Sequence, residues 1–432
     1  MNRDRPIFPP GPRVAGAART AAARNVDEGS GTRPGPALPI LLLLLTASCA
    51  TPPAPTEPTE PPAPLDSAAA SSTPSVPATG IAPAPARGTV GDPRASARIT
   101  LAAVGDMMLG TDYPENRLPD DDAEGFLGAV AGELHAADMA FGNLEGVLAD
   151  GGEPVKECSN PRACYLFRSP TRYAGRFRAA GFDALSLANN HALDFGEQGR
   201  SSSMAALRSV GIVHSGREGD FGALTHDGLA VGFVAFAVTR DSNLLHDYVL
   251  AEQIVSSEAA KHDLLVVSFH GGAEGDGTSR IPFGEEEYFG EPRGDVVRFA
   301  RAMVDAGADF VFGHGPHVLR GMERYGDRLI AYSLGNFATY YGISVSGDKG
   351  IAPLLVITVD GYGRFVEGRI ISTVQVRPGG PIPDPGQSAL RQLRDLSNAD
   401  FGDPGLEFLE DGRLVAVERR YVRPTAVPSS ER

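Results

Sequence analysis

The sequence predicts an α/β fold with layered, largely buried strands, and three observations carry that prediction. From residue 97 onward, short apolar runs alternate with amphipathic stretches, the order expected of strands and helices taken in turn. The runs are nearly continuous in hydrophobicity, as in strands covered on both faces. All but one of the runs also stop abruptly at a small cluster of Gly, Asn, Asp, Glu or His, residues that weaken a strand and so mark its end. Nothing repeats at a fixed period.

The chain has 432 residues, a formal charge of −15 and 42% hydrophobic residues. Residues 1–49 read as a signal peptide. Six arginines precede ALPILLLLLTASC (37–49), whose apolar run of about ten residues is too short to span a bilayer. Small residues lead into Cys49 as in a lipobox, although Thr46 rather than Leu stands three before it. Cys49 is therefore the expected lipid-bearing residue of an exported, membrane-anchored chain, with a plain signal peptide as the alternative. Residues 50–96 are rich in Pro, Ala, Ser and Thr and read as a disordered linker, because such a stretch buries too little apolar surface to offset its ordering entropy. Removing residues 1–49 takes away six arginines and three acids and moves the charge to −18. So acidic a chain is a poor general partner for nucleic acid, and an anionic ligand needs a local basic site.

Residues 97–345 read as the main domain. Its expected strands are 98–105, 137–142, 182–188, 229–238, 263–269, 308–313 and 329–335. Helices fall between them. GDVVRFARAMVDAG (294–307) sets Val296, Phe299, Ala300, Met303 and Val304 on one face, and the stretches 172–181 and 197–211 both end in Gly, as helices often do. Residues 346–432 read as a C-terminal extension, a hairpin about Asp360-Gly361 followed by an irregular tail.

The strand ends hold the chemistry. Run by run they give Asp106, Asn143 with Glu145, Asn189-Asn190-His191, His270, His314 with His317, and Asn336. In α/β sheets the carboxyl ends of strands form the ligand crevice, so residues distant in sequence converge there. Four of the nine histidines lie at such ends. A single strand-end Asp serves as readily as a helix cap, but six ends delivering carboxylates, amides and imidazoles suit a borderline divalent metal. One basic stretch, KECSNPRACYLFRSPTRYAGRFR (156–178), reads either as a solvated helix face with a loop before it or as an anion-binding rim. In an oxidising compartment Cys158 and Cys164 are expected to pair and close a short loop. A C-x5-C metal site would lack its second pair.

The series GDMMLG (105–110), GNLEG (142–146), SLANNHALDFG (186–196), SFHGG (268–272), GHGPHV (313–318) and SLGNF (333–337) resembles the CapA family of capsule and poly-γ-glutamate biosynthesis proteins, a branch of the calcineurin-like metallophosphatase superfamily. The resemblance implies a layered β-sandwich flanked by helices. It also implies one or two divalent ions (Mn, Zn or Fe) held by Asp106, Glu145, Asn190, His270, His314 and His317. Asn143, which shares the position of the bridging acid with Glu145, and Arg168, which would pair with an anionic group, are the expected substrate-binding residues, and His191 is the group that would protonate a leaving group. The cysteine-containing loop before Asn190 is also similar to that of the family. Two departures stand out: Asp106 is followed by Met107-Met108 where metallophosphatases have Asp-x-His, and the last motif is His-Gly-Pro-His rather than His-x-His. They leave open the number of ions and whether the site is catalytic.

Three functions follow as expectations. The first is an envelope-anchored protein acting in synthesis, export or attachment of an anionic polymer such as poly-γ-glutamate. It would work beside polymer synthase or export subunits, since the chain has no nucleotide-binding loop of its own. The second is an exported metal-dependent phosphoesterase or other hydrolase acting on a phosphorylated small substrate. The third is a non-catalytic polymer-binding module.

Overall fold

A computed structural model describes residues 93–156 and 165–417. The leader, the linker, Cys49, Cys158 and Cys164 lie outside the described residues. In chain order the strands are β1 (Arg98–Met108), β2 (Met139–Leu144), β3 (Val147–Leu148), β4 (Arg168–Ser169), β5 (Ala184–Ser186), β6 (Val213–Ser215) and β7 (Gly222–His226). They continue as β8 (Leu229–Ala237), β9 (Leu264–His270), β10 (Glu286–Tyr288), β11 (Glu291–Gly294), β12 (Phe310–His314), β13 (Leu319–Tyr325) and β14 (Arg328–Leu334). The last are β15 (Asn336–Thr339), β16 (Ile351–Asp360), β17 (Phe365–Gln375), β18 (Pro381–Pro383), β19 (Leu406–Phe408) and β20 (Arg413–Ala416). The α-helices among the described residues are α1 (Gly128–Ala136), α2 (Ala174–Ala180), α3 (Gly196–Ser209), α4 (Tyr248–Ala259), α5 (Val296–Asp305) and α6 (Ser388–Phe401).

Two sheets dominate. The larger runs β19-β20-β17-β16-β1-β2-β5-β6, and the smaller runs β13-β14-β12-β9-β8-β7. At the heart of each the strands are parallel: β1, β2, β5 and β6 in one, β8, β9, β12 and β14 in the other. Side-chain alternation along each strand then sorts residues into layers. Leu101, Ala103, Phe141, Val231, Phe233, Phe310 and Phe312 share one core between the sheets. Their neighbours Ala102, Val104, Ala140 and Leu185 turn outward to pack with Leu134 of α1 and Phe177 of α2. On the far side, Val234, Leu265, Val267 and Val311 pack with Val255 of α4 and Phe299 and Met303 of α5. The result is the expected α/β sandwich, two sheets face to face with helices outside. Each fully buried aliphatic or aromatic side chain in these layers contributes about 1.5–3 kcal/mol.

All seven expected strands are present, and α5 buries Val296, Phe299, Ala300 and Met303 as its spacing requires. Asp295 caps its start by accepting a hydrogen bond from the Arg298 amide at 3.0 Å. No helix among the described residues is long and apolar enough to cross a membrane.

The region after residue 345 departs from the expected hairpin and irregular tail. β16 and β17 do form a hairpin, but β16 lies directly beside β1 and so completes the centre of the larger sheet. Where a tail without structure is expected, α6 and the β19–β20 pair stand instead. Ala389, Leu390 and Leu393 on one face of α6 enter the core between the sheets with Leu406, Phe408 and Leu414. The Ser397 hydroxyl accepts from the Met322 amide at 2.8 Å. Burial of that apolar stripe, not intrinsic helix propensity, is what orders the segment.

Two backbone features aim residues into the crevice. The register of β1 shifts at Asp106 against both β2 and β15, a bulge that redirects the side chain. The Asp106 amide donates to the Gly335 carbonyl at 2.8 Å, and a Cβ on Gly105 would lie 1.9 Å from that oxygen, so only glycine permits the approach. Gly335 itself sits where the chain leaves β14 in one sheet and enters β15 in the other, which brings Asn336 alongside Asp106.

Candidate metal centre

The carboxyl ends of the parallel strands meet in one crevice, and the residues expected there are brought together. Asp106 lies near the end of β1, Asn143 lies in β2 with Glu145 just beyond it, and Asn190 and His191 follow β5. From the other sheet, His270 ends β9 and His314 ends β12, paired in register. His317 has φ of +60°, a left-handed conformation rare for residues other than glycine, and this turns its ring into the crevice.

The contacts fall into two linked groups. His317 Nδ1 lies 3.1 Å from Asp106 Oδ2 and 2.9 Å from Asn336 Oδ1, so that nitrogen carries a proton and donates it. The opposite nitrogen, Nε2, stands 3.6 Å from Glu145 Oε1 and 4.0 Å from Glu274 Oε2. His270 Nε2 is 3.8 Å from the same Glu145 oxygen. His314 Nδ1 is 3.1 Å from Asp106 Oδ1 but out of line for a hydrogen bond. Asp106, Glu145 and His317 offer donor atoms that all lie within 4.8 Å of one another.

Asn143 supports the centre from behind. Its amide donates to Asp106 Oδ1 at 2.9 Å and accepts from Asn189 at 3.1 Å, while Asn189 also donates to the Leu144 carbonyl at 2.8 Å. Its polar atoms are spent holding the strand ends in place.

Electrostatics set the protonation pattern. Burial opposes ionisation of Asp106, but His314 and His317 outweigh it and hold the carboxyl well below its ordinary range. Burial dominates at Glu145, is only partly offset by His317, and pushes that carboxyl up to about 7. At His317 burial is outweighed by Glu145, Asp106 and Glu274, which push the imidazole up to about 10. Burial and then Arg293 drive His270 well below its ordinary value, so it is neutral. The carboxylates thus draw positive charge onto His317, whose Nε2 could ligate only by giving up its proton, while His270 keeps an uncharged ring with a lone pair to give.

The residues present fit a divalent cation. Both oxygens of Glu145, both ring nitrogens of His270 and of His314, and Asn190 Oδ1 are buried without a hydrogen-bond partner. An unpaired buried polar atom costs about 1–3 kcal/mol. A neutral imidazole carries a proton on one nitrogen, which leaves up to five lone-pair atoms, hard oxygens beside imidazoles, that could hold a borderline divalent metal.

His191 stands at the edge of this set. Its Nδ1 donates to Asp194 Oδ2 at 2.7 Å, the ring lies against Phe167 with centroids 4.2 Å apart, and its amide donates to Asn189 Oδ1. Asp194 is fully buried and also lies 3.2 Å from Lys156 Nζ. Fixing the proton on Nδ1 leaves Nε2 as the reactive nitrogen, the arrangement a general acid or base needs.

The described cations of the basic stretch all have partners within the fold. Arg168 donates to Asp112 at 2.7 Å and to the Gly152 carbonyl at 2.7 Å, and packs over the Tyr113 and Phe195 rings. Arg172 and Arg176 both bond Asp122, and Arg178 bonds Asp183. Each of these cations has an aspartate partner outside the basic stretch, Asp122 being shared by two of them, and Arg168 ties loops together. Glu274, Asp194 and Arg293 are the residues that sequence reasoning did not assign to the site, while Asn336, read there only as a strand-end residue, joins it through His317.

The comparisons with known proteins agree with the motifs. Residues 100–341 match the family described as bacterial capsule synthesis protein PGA_cap. The chain is 28% identical over 342 residues to the PGA biosynthesis protein CapA of Bacillus subtilis (strain 168), covering 73% of this chain and 81% of that protein. It is 28% identical over 280 residues to the capsule biosynthesis protein CapA of Bacillus anthracis, covering 60% of this chain and 64% of that one, just under two thirds of its length. Among solved structures, a 5'-nucleotidase precursor from Thermus thermophilus aligns at 15% identity with a TM-score of 0.37, over 70% of this chain and 59% of that one. With more than half of its length matched, the chain belongs to the PGA_cap family of bacterial capsule synthesis proteins.

Proposed function

We propose that this PGA_cap protein acts in the biosynthesis of an anionic capsular polymer of the poly-γ-glutamate type, and that it does so through a divalent-metal centre in the strand-end crevice. The observation that carries the proposal is the set of seven buried, unpartnered polar atoms on Glu145, Asn190, His270 and His314. Asp106, Glu145, Asn190, His270, His314 and His317 would hold the ion. A bound divalent cation supplies Lewis acidity toward a carbonyl or phosphoryl oxygen.

The chain's own residues do the rest. Asn143 and Asn336 orient Asp106 and His317 through their amides. Burial keeps His270 neutral and therefore able to donate a lone pair. His191, with Nδ1 anchored on Asp194, presents Nε2 for proton transfer. That pair is also the observation favouring a second reading, in which the protein is a metal-dependent hydrolase working within the same process.

We further propose an exported, envelope-anchored chain, with Cys49 bearing the lipid and residues 50–96 as a spacer. The support is the apolar run at 37–49 and the proline-rich composition after it.

Elemental analysis of the full chain, purified without chelator beside Asp106→Ala and His270→Ala, tests the metal centre. About one or two transition-metal ions per parent chain, lost in both variants, is the expected result. A well-folded parent that takes up no Mn or Zn overturns the proposal.

A further inference from the structure

Glu274 has no place in the strand-end pattern, yet the structure carries it into the crevice. It lies in the turn after β9, four residues beyond His270. One of its oxygens, Oε1, is 2.8 Å from Arg293 Nη2 and accepts from Asn190 Nδ2 at 3.4 Å. The other, Oε2, faces His317 Nε2 at 4.0 Å.

Two donors on one transition-metal ion, each about 2.1 Å from it, stand no more than about 4.2 Å apart. The Glu274–His317 separation of 4.0 Å meets that limit, as do Glu145–His317 at 3.6 Å and Glu145–His270 at 3.8 Å.

Three further facts give the carboxylate a purpose. First, the bond from Asn190 Nδ2 to Glu274 fixes which way the amide faces and leaves Asn190 Oδ1 as its buried, unpartnered atom. Glu274 therefore turns Asn190 into an oxygen donor. Second, Arg293 is only 1% exposed, and its Nε donates to the Gly272 carbonyl at 2.9 Å. A guanidinium so buried holds Glu274 by charge and holds the turn that carries it. Third, position 108, where the Asp-x-His pattern would supply an imidazole, is a methionine. Its sulfur accepts from the Gly110 amide at 3.3 Å, and the side chain packs with Phe167 and Ile343. The residue at 108 thus contributes nothing to the crevice.

We propose that Glu274 supplies a carboxylate oxygen to a divalent cation together with His317 and Asn190, a donor that the strand-end motifs do not include. Arg293 is its positioning residue. This rests on the metal-centre reading above and names one more member of that centre.

The test is Mn2+ titration of the full, chelator-stripped chain by calorimetry, with Co2+ absorption spectra on the same samples. Parent, Glu274→Gln, Glu274→Asp and Arg293→Lys are compared, with far-UV circular dichroism to check folding. Glu274→Gln should bind Mn2+ at least about 10-fold more weakly than the parent and change the Co2+ bands, Glu274→Asp should recover part of the affinity, and Arg293→Lys should fall between. A folded Glu274→Gln with parental affinity and an unchanged Co2+ spectrum overturns the assignment while leaving the metal centre standing. Should Glu274→Gln fail to fold, Glu274→Asp decides: parental affinity and bands reject the assignment, and weakened binding with altered bands supports it. A parent that binds no ion overturns the underlying reading as well.

Discussion

Two kinds of charged cluster in this protein, each built on buried carboxylates, differ in completeness. In the first, Glu323 receives a two-pronged bond from Arg301, at 2.8 Å to each oxygen, and a further bond from the Tyr332 hydroxyl at 2.7 Å. Alike in character, Arg320 grips both oxygens of Glu286 at 2.7 Å, and the Ala273 amide adds a third bond. In the second, the crevice of Asp106, Glu145, His270 and His314, seven polar atoms have no hydrogen-bond partner when Asn190 is counted with them. Both regions bury charge against the same sheets. Satisfied charge holds architecture together, whereas unsatisfied charge is organised for something that comes from outside the chain.

That contrast can be broken, beginning with the largest effect. Glu286→Ala leaves the Arg320 guanidinium buried and unpaired, and should lower stability by about 3–5 kcal/mol in denaturant unfolding. A loss under about 1 kcal/mol would mean that the satisfied clusters are not structural. Tyr332→Phe removes one hydroxyl from Glu323 in the core and should cost about 1.5–3 kcal/mol in the same measurement. The pair also acts as architecture only if metal titration of Tyr332→Phe matches the parent.

The smallest effect lies on the surface. Asp122 accepts bonds from Arg172 and Arg176, and the Arg172 contact leads in bringing its carboxyl down to about 2. Because its folded value lies below its unfolded one, its contribution is present above about pH 4 and is lost as pH falls through about 2. Acid unfolding of Asp122→Asn should therefore follow the parent's slope near pH 5 and lose part of the parent's pH dependence below about pH 4. Identical acid profiles would show the pair to be energetically silent, as many exposed ion pairs are.

Much of this is legible in the sequence, and the exceptions have physical causes. The seven apolar runs and the polar residues that end them announce the strands and the crevice, because burial on both faces leaves a continuous apolar signal. Asp194 also stands in plain view three residues after His191, but its role depends on a turn that spacing alone does not specify. Glu274 is hidden in GGAEGDGTSR, where glycines on either side read as turn chemistry and nothing marks a carboxylate as facing inward. The partners of Arg168 and Arg172 lie 56 and 50 residues away, so local charge counting overstates the basic surface. The helix α6 escapes a sequence reading although Ala389, Leu390 and Leu393 carry its buried stripe, because the proline- and glycine-rich run before it suggests an unstructured tail.

The central claim is that the unpartnered crevice exists to take a cation, and thermal melting of the full, chelator-stripped chain with increasing Mn2+ tests it most directly, beside Glu145→Gln. The account predicts that the parent's melting temperature climbs with the logarithm of Mn2+ concentration once the site saturates, as binding to the folded state alone requires. It also predicts that Glu145→Gln melts no lower than the parent without metal and gains far less from Mn2+. A parent whose melting temperature ignores both Mn2+ and Zn2+, or a Glu145→Gln chain that responds just as the parent does, would contradict it.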